Sequence, residues 1–363
     1  MPNKLKERLM ACLRICVMLI MMLELFFRFI IPAAKSPLGH FDTVNAVFRY
    51  FPGQIGVYTF GRLSEYRTRW RINNYGWNSP IDYQAAKSRP RIAVIGDSFV
   101  EALHVDLGKS YPYLLKQKFG EKYDIYTFGF AGAPLSEYLN ISRYVNRYFD
   151  PDIIIFNVEY NDFDESILKY NKYYWKVFLT LSVEGSKVTE NQPQPDKSYA
   201  EFVFWKRFLR SHSALARYLI FNLKSRMLYR GLVDKDFRGF YKKNIEFDIP
   251  PAQQKKEIVL ATRYLVERIK SENTGKIVIF VMDAPREKIY SQDLRGKQPL
   301  WLHDLMRDIC RENHLYFLDL TEAFENDYAQ SGLKFNTDLD EHLNEHGHEV
   351  VATEVYDFLI KSL

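Results

Sequence analysis

Residues 92–99 read Ile-Ala-Val-Ile-Gly-Asp-Ser-Phe, a short β-branched run that stops on Gly-Asp-Ser. Such a run predicts a buried strand, and the turn after it presents the hydroxyl of Ser98. A serine is a weak nucleophile at neutral pH unless a base and an oxyanion site are placed beside it. The rest of the chain therefore has to supply both before Ser98 becomes a candidate nucleophile.

Strand-like and helix-like segments alternate from residue 91 onward. The predicted strands are 91–95, 125–130, 153–158, 276–282 and 316–320, and the predicted helices are 109–120, 136–149, 252–273, 300–313 and 346–361. This alternation predicts a parallel sheet with helices on both faces. Sheets of this class bind ligands at the carboxyl ends of their strands.

Four polar or glycine-containing segments lie at or just beyond predicted strand ends. They are Gly96-Asp97-Ser98, the Gly129 to Gly132 turn, Asn161-Asp162, and Asp340-Glu341-His342. Glycine allows close approach of backbone N–H groups to a ligand, and an Asn amide donates hydrogen bonds to an oxyanion. His342 is placed as a general base and Asp340 as the group that orients it.

Each segment alone also fits an ordinary turn, since Gly, Asp, Asn and Ser are common there. The three histidines His342, His346 and His348 raise the alternative of a metal site. No cysteine or second histidine cluster completes a coordination sphere, so we expect no metal. The order of the four segments, each at a strand end, favours a catalytic site over separate turns.

These four segments resemble the sequence blocks of the SGNH/GDSL hydrolase family over residues 90–363. The matching residues are Gly96-Asp97-Ser98-Phe99, Gly132, Asn161-Asp162 and the stretch from Asp340 to His348. The resemblance implies a three-layer α/β/α fold with a five-stranded parallel, flavodoxin-like sheet. It also implies catalytic Ser98, His342 and Asp340, an oxyanion hole made by Ser98, Gly132 and Asn161, and no cofactor.

The chain departs from the family pattern at several positions. Phe99 replaces a leucine beside the nucleophile, and Glu159-Tyr160 replace glycines before Asn161. Many members carry the acid three residues before the histidine, where this chain has Leu339, so Asp340 has to serve and Asp338 is the reserve orienter. The two-residue spacing recurs in family relatives that acetylate exported polysaccharides. This resemblance slightly favours acyl transfer over hydrolysis.

The N-terminal residues predict a membrane anchor at 10–32, after a basic cytoplasmic N-terminus at 1–9. The apolar stretch is long enough to span a bilayer, and Glu24 and Arg28 stand four residues apart, where they can pair. A buried helix of a soluble protein and a cleaved signal peptide are the alternatives. Flanking basic residues favour an N-terminus inside and the bulk of the chain outside the cytoplasm. The upstream stretch also resembles that of the membrane-tethered bacterial members of the family, which implies a single-pass protein of the bacterial inner membrane with a periplasmic catalytic domain.

Between the anchor and the first strand, residues 33–88 are too rich in Gly and Pro for a long helix and are predicted to pack beside the main domain, 89–363. An insertion at about 163–250 follows the third strand and is expected to cap the ligand crevice. It includes a predicted hairpin at 178–188 and a basic, aromatic helical stretch at 199–229.

Composition narrows the function classes. The 50 basic and 45 acidic residues form no long basic run, so nucleic acid is not expected as a partner. Three cysteines provide no disulfide framework. Together, the four segments, the family resemblance and the predicted anchor lead us to expect a membrane-anchored serine esterase. Its expected substrate is an ester, O-acetyl above all, of an envelope glycan or lipid-linked saccharide. A glycan O-acetyltransferase using the same residues and a non-catalytic binding or assembly module are the alternatives.

Overall fold

The structure is a computed structural model that describes residues 2–171, 177–195, 208–209, 211–223, 250–291 and 300–362. The chain divides into two compact units. The smaller unit comprises residues 1–36, 56–68 and 197–239, and the larger unit comprises residues 37–55, 69–196 and 240–363. The residues predicted to lie between anchor and main domain, 33–88, are thus shared between the two units.

The strands are β1 (Gly39–Asp42), β2 (Val47–Tyr50), β3 (Ile55–Phe60), β4 (Tyr66–Arg71), β5 (Arg91–Gly96), β6 (Asp124–Gly129), β7 (Ile153–Val158), β8 (Thr180–Glu184), β9 (Lys187–Asn191), β10 (Ile277–Met282), β11 (Tyr316–Asp319), β12 (Asn336–Thr337) and β13 (Asp340–Leu343). The helices are α1 (Pro2–Phe29), α2 (Ser98–Glu101), α3 (Tyr111–Phe119), α4 (Leu135–Phe149), α5 (Asn161–Glu165), α6 (Ala214–Arg217), α7 (Ala252–Glu272), α8 (Arg286–Ser291), α9 (Leu300–Glu312), α10 (Thr321–Ser331) and α11 (Glu345–Ser362).

A five-stranded parallel sheet in the order β11-β10-β7-β5-β6 forms the centre of the larger unit. Every residue of β5 and of β7 is buried, as expected for strands covered by helices on both faces. Ile92, Val94 and Ile155 pack with α3 and α11 on one face. Helices α4 and α7 pack together in the other layer. The predicted three-layer fold with its five parallel strands is confirmed.

Several short elements near the carboxyl ends of the strands were not predicted, among them a helix and a β-hairpin. Helix α10 follows β11, and Phe324 is its only fully buried apolar side chain, so its sequence carries little helical periodicity. Strands β12 and β13 pair antiparallel, with Asn336 opposite Leu343. The predicted base and orienter, His342 and Asp340, therefore lie within a short hairpin strand.

The predicted hairpin in the insertion is confirmed, with β8 and β9 joined at Gly185-Ser186. It packs on α4 and α7, where Arg143 bridges Glu190 of β9 and Glu272 of α7. Residues 172–176, 196–207, 210 and 224–249 lie outside the described residues. Most of the helical stretch predicted at 199–229 falls there, so the cap over the crevice stays a prediction.

The smaller unit contains α1, whose 26 residues Lys4–Phe29 include an 18-residue apolar window with a mean hydropathy of 2.3, and none of that window is buried. By length and composition this helix can cross a membrane. A signal sequence near the N-terminus meets the same two criteria. The helix ends at Phe29, before Pro32, whereas the sequence predicted an end at residue 32. Proline lacks the N–H that would continue the helix.

Candidate active site

Ser98 is the first residue of α2, directly after the end of β5. Asp97 caps this helix, because its Oδ1 accepts the backbone N–H of Phe99 at 2.9 Å. A Cβ at Gly96 would lie 2.4 Å from Val100 Cγ2, so only glycine allows the chain to turn this tightly. The sharp strand-to-helix turn leaves Ser98 7 % exposed at the carboxyl edge of the sheet.

His342 contacts Ser98 directly. His342 Nε2 lies 2.8 Å from Ser98 Oγ, and His342 Nδ1 is bound by Asp340 Oδ1 on the other side of the ring. An ionised carboxylate only accepts hydrogen bonds, so Nδ1 carries the proton and the lone pair of Nε2 faces Ser98. This arrangement can remove the hydroxyl proton of Ser98.

The charges of this pair reinforce one another. Burial opposes ionisation of Asp340, but the adjacent His342 and His104 lower the pKa of Asp340 well below its usual value. Burial likewise works against the imidazolium form of His342, yet the charge of Asp340 raises the pKa of His342 above its usual value. The structure therefore stabilises the cation that forms when His342 takes a proton.

The reserve orienter, Asp338, does not take part in this chain of contacts. Its side chain is 87 % exposed, and its nearest charged partner is Lys334 at 3.6 Å. Of the two acids proposed from the sequence, the structure brings Asp340 to His342.

His104 is a site residue that the sequence did not reveal. Its ring stacks on the ring of His342, with centroids 3.6 Å apart and planes within 8°, and its Nε2 lies 3.8 Å from Asp340 Oδ2. The only signal was a lone histidine six residues after Ser98, which has no motif. The stack restricts rotation of the His342 imidazole.

The two proposed oxyanion donors follow the strands on either side of β5. Gly132 lies in the turn after β6 with a φ of 77°, and Asn161 begins α5 after β7. The Asn161 side chain is 8 % exposed, and its Nδ2 donates one hydrogen bond, to Glu165 at 3.2 Å. A primary amide has two N–H donors, so one is left for a ligand.

Gly129 allows β6 to approach α2, the helix that carries Ser98. A Cβ at Gly129 would lie 2.1 Å from the backbone nitrogen of Glu101, the last residue of α2. The Gly129 to Gly132 segment therefore acts first by close packing, and this contact fixes the start of the turn that contains Gly132.

Buried hydrogen bonds fix the turn that carries Asn161. Asp162 Oδ2 accepts the backbone N–H of Glu159 at 2.7 Å and the hydroxyl of Tyr138 at 2.8 Å. Glu159 in turn accepts a hydrogen bond from Asn157 Nδ2 at 2.9 Å. The side chains of Asn157, Glu159 and Asp162 thus anchor the turn that leads to Asn161.

A second buried relay, also missed from the sequence, holds the same turn from Tyr160. The Tyr160 hydroxyl lies 2.6 Å from His303 Nε2, and His303 Nδ1 lies 2.8 Å from Asp319 Oδ2. The three residues come from the turn after β7, from α9 and from the end of β11, and no local pattern connects them. The relay fixes the residue directly before Asn161.

Four acidic side chains are buried around this edge of the sheet. Burial raises the pKa of Asp97 to about 6 and that of Glu101 to about 8, and it raises the pKa of Glu159 and of Asp162 well above the usual value. Glu101 is therefore largely protonated at neutral pH, and burial favours the neutral form of Glu159 and of Asp162. Neutral carboxyl groups do not oppose a negative charge forming on a bound substrate.

Arg286 is the buried cation of this region. Its guanidinium lies 3.0 Å from the carboxylate of Asp283, donates to the carbonyl of Glu341 at 2.6 Å, and lies over the ring of Phe99. Because Glu341 separates Asp340 from His342, Arg286 links the short strand of His342 to α2, the helix that begins at Ser98.

The other histidines of the C-terminal stretch have separate partners. His346 Nε2 lies 2.7 Å from Asp327, and the Nδ1 of buried His348 accepts the backbone N–H of Tyr111 at 3.2 Å. Burial lowers the pKa of His348 to about 3, so its ring stays neutral. The three histidines considered as a metal site are thus not directed at one point.

His104, Asp340 and His342 form another group whose ligand atoms lie within 4.8 Å of one another. A metal lies near the plane of each imidazole that binds it, because the nitrogen lone pair lies in that plane. Two parallel rings stacked 3.6 Å apart cannot both meet this requirement for one ion. The geometry of this cluster fits stacking against a triad better than metal coordination.

Comparison with known proteins gives only distant similarity. No family profile and no curated protein matches the sequence. A two-domain esterase active on acetylated mannans, crystallised with mannopentaose, matches with 13 % identity and a TM-score of 0.40 over 75 % of this chain and 49 % of its own, so this chain spans about half of its length. A lipolytic G-D-S-L family protein from Veillonella parvula matches with 12 % identity and a TM-score of 0.41, over 75 % and 99 % of the two chains. An acetyl xylan esterase matches with 12 % identity and a TM-score of 0.39, over 74 % and 98 %.

Proposed function

We propose that this chain is a serine esterase of the SGNH/GDSL type that cleaves an O-acetyl ester of a cell-envelope glycan or lipid-linked saccharide. The observation that carries the proposal is the 2.8 Å contact between Ser98 Oγ and His342 Nε2, with Asp340 bound to the far side of the imidazole. A nucleophile, a base and an orienter in one line are what acyl transfer needs.

In the first half of the reaction, Ser98 Oγ attacks the ester carbonyl carbon while His342 Nε2 takes the hydroxyl proton. The oxyanion receives hydrogen bonds from the backbone N–H groups of Ser98 and Gly132 and from the Asn161 amide. The C–O bond to the alcohol then breaks, and the alcohol leaves with the proton from His342. Ser98 is left as an acyl ester.

In the second half, His342 removes a proton from the acceptor, which attacks the acyl-Ser98 carbonyl and regenerates the free serine. Water as acceptor gives an esterase, and a sugar hydroxyl gives an O-acetyltransferase. The Asp340 to His342 spacing, which recurs in relatives that acetylate exported polysaccharides, is the feature that supports transfer as the second candidate.

A non-catalytic binding module is the remaining alternative. Such a module has no use for an imidazole whose pKa is raised by a buried carboxylate and whose free nitrogen faces a serine. The polar atoms of this line are mutually satisfied, as preorganised catalytic groups are.

We further propose that α1 anchors the protein in the bacterial inner membrane, with the catalytic unit on the periplasmic side. The apolar window of α1 has none of its residues buried, which fits a helix surrounded by lipid. The mass of the mature chain separates an anchor from a cleaved signal sequence, since cleavage would remove the whole helix.

The test is turnover of p-nitrophenyl acetate and acetylated glycans by the full chain in detergent. Ser98→Ala and His342→Ala should each lower kcat by several orders of magnitude, because the two residues act as a unit. Ser271→Ala and His314→Ala, at exposed positions away from the site, are the matched controls. Unchanged turnover in Ser98→Ala would reject the mechanism, and acetyl transfer to an added oligosaccharide in preference to water would identify a transferase.

A further inference from the structure

Glu24 is an acidic residue within the apolar helix α1. It pairs with Arg28, as the sequence predicted, and it also binds residues of a distant segment. The Arg28 guanidinium donates to Glu24 Oε1 at 2.6 Å. The Glu24 carboxylate also accepts hydrogen bonds from the Ser213 hydroxyl at 2.9 Å, from Ala214 N at 2.8 Å and from Leu215 N at 3.0 Å. Glu24 therefore caps the start of α6, 190 residues further along the chain.

Further contacts hold this segment, Ser213–Asn222, along its length. Helix α6 continues as a π-helical turn, Tyr218–Asn222, and the ring of Tyr218 stacks on Phe27 of α1 with centroids 3.7 Å apart. At its end, buried Asn222 accepts the backbone N–H of Ala34 at 3.0 Å and donates to Thr59 at 3.0 Å. The segment is thus fixed at its start to the last turns of α1, and at its end to the chain that follows α1 and to β3.

Apolar side chains of this region face outward. Leu219 and Ile220 in the π-helical turn are 39 % and 40 % exposed, and Phe208 and Leu209 just before α6 are each 48 % exposed. In water, these four side chains and the exposed apolar helix α1 would together form a large apolar surface, which is unfavourable. A bilayer around α1 would cover the helix and the four side chains.

The depth of the contact matches the edge of a bilayer. Glu24 precedes the end of α1 at Phe29 by about 8 Å, at 1.5 Å per residue. Helices that lie in the membrane interface bury their apolar face by about 5–10 Å. The neighbouring Arg28 and Tyr218 are residue types that membrane proteins place at this level.

We propose, resting on the anchor proposed above, that residues 208–209 and 211–223 contribute to a second membrane-contacting element, an interfacial segment docked on α1 through Glu24. Its apolar side chains insert among lipid headgroups and upper acyl chains beside the span. The acidic residue in the apolar helix is explained by this docking, since the segment supplies donors that lipid cannot.

The test places an environment-sensitive NBD fluorophore on single cysteines in the full chain, after Cys12, Cys16 and Cys310 are replaced by alanine. The labelled positions are Ile220 in the segment, Val17 in the middle of α1, and exposed Leu333 in the larger unit. The protein is reconstituted in vesicles of phosphatidylethanolamine and phosphatidylglycerol that contain lipids spin-labelled near the headgroup or deep in the chain.

We expect the shallow spin label to quench the fluorophore at residue 220 at least threefold more than at residue 333, and the deep label to quench residue 17. Glu24→Ala should reduce quenching at residue 220 but not at residue 17, and Glu7→Ala, at the other end of α1, should change neither. Quenching at residue 17 with none at residue 220 would overturn the interfacial segment and leave the anchor standing. Absence of quenching at both positions would overturn the anchor itself, and unchanged quenching at residue 220 in Glu24→Ala would overturn the docking role of Glu24.

Discussion

One carboxylate oxygen of Asp340 binds His342 twice, through the backbone N–H at 2.9 Å and through ring Nδ1. Residues two apart in a strand lie on the same face, so the acid reaches the imidazole without a longer loop. The second oxygen, Oδ2, is left to face His104. A spacing of two residues is therefore sufficient to bring an acid against His342 Nδ1.

Asp340→Asn should reduce kcat by about 10³–10⁴-fold, because an amide nitrogen can donate to Nδ1 and favour the wrong tautomer. The neutral form of His342 is the base, so activity rises with pH through its pKa. Since Asp340 raises that pKa, its removal should move the acid limb of kcat/KM to lower pH. Asp338→Asn is the matched control, and loss of activity there with activity retained in Asp340→Asn would reverse the assignment.

His104→Ala should lower kcat about 2–10-fold with little change in KM, since an aromatic stack contributes about 0.5–1.5 kcal/mol. His104→Phe keeps a flat ring over His342 and should recover most of the activity. Steady-state kinetics of both variants, with His314→Ala as control, measure this. Failure of phenylalanine to rescue would assign the effect to the contact between His104 and Asp340 instead of to stacking.

Asn161→Ala should lower kcat by about 10²–10³-fold and leave the melting temperature nearly unchanged, as for loss of one oxyanion donor. Asn313→Ala is the control. Asn313 lies between α9 and the start of β11, at the amino ends of the strands, whereas Asn161 lies at their carboxyl ends. Equal kcat for Asn161→Ala and the unchanged protein would remove Asn161 from the oxyanion hole.

Gly129→Ala should destabilise the fold by about 1–3 kcal/mol, the usual cost of overpacking, because the added Cβ would meet the backbone of Glu101. Gly275→Ala meets nothing within 4 Å but has a φ of 81°, so it isolates the effect of backbone strain. Urea unfolding of both variants gives the comparison. A Gly129→Ala variant as stable as the unchanged protein would show that β6 and α2 are not in close contact.

Much of the central fold follows from sequence periodicity. The five predicted strands match β5, β6, β7, β10 and β11 within one residue at either end, because parallel strands buried on both faces are continuous apolar runs. Helix α10 was missed because it buries a single apolar side chain fully. The small sheets of residues 39–71 were missed because their strands are short and interrupted by Gly and Pro.

In the site, too, some residues could be predicted from the sequence and others could not. Ser98 and His342 could be proposed because each lies at a strand end within a short motif. His104, Arg286 and the relay from Tyr160 through His303 could not, since their partners are distant in sequence and meet only in the folded chain. The raised pKa of Glu101 arises from burial, which a single sequence does not report.

The most direct test of the account is covalent labelling of Ser98 by a fluorophosphonate, followed by intact-mass measurement and peptide mapping. We predict one phosphonyl adduct per chain, located on Ser98, absent in Ser98→Ala and formed much more slowly in His342→Ala. An unlabelled Ser98 in a protein that still hydrolyses acetyl esters would contradict the claim that Ser98 is the nucleophile.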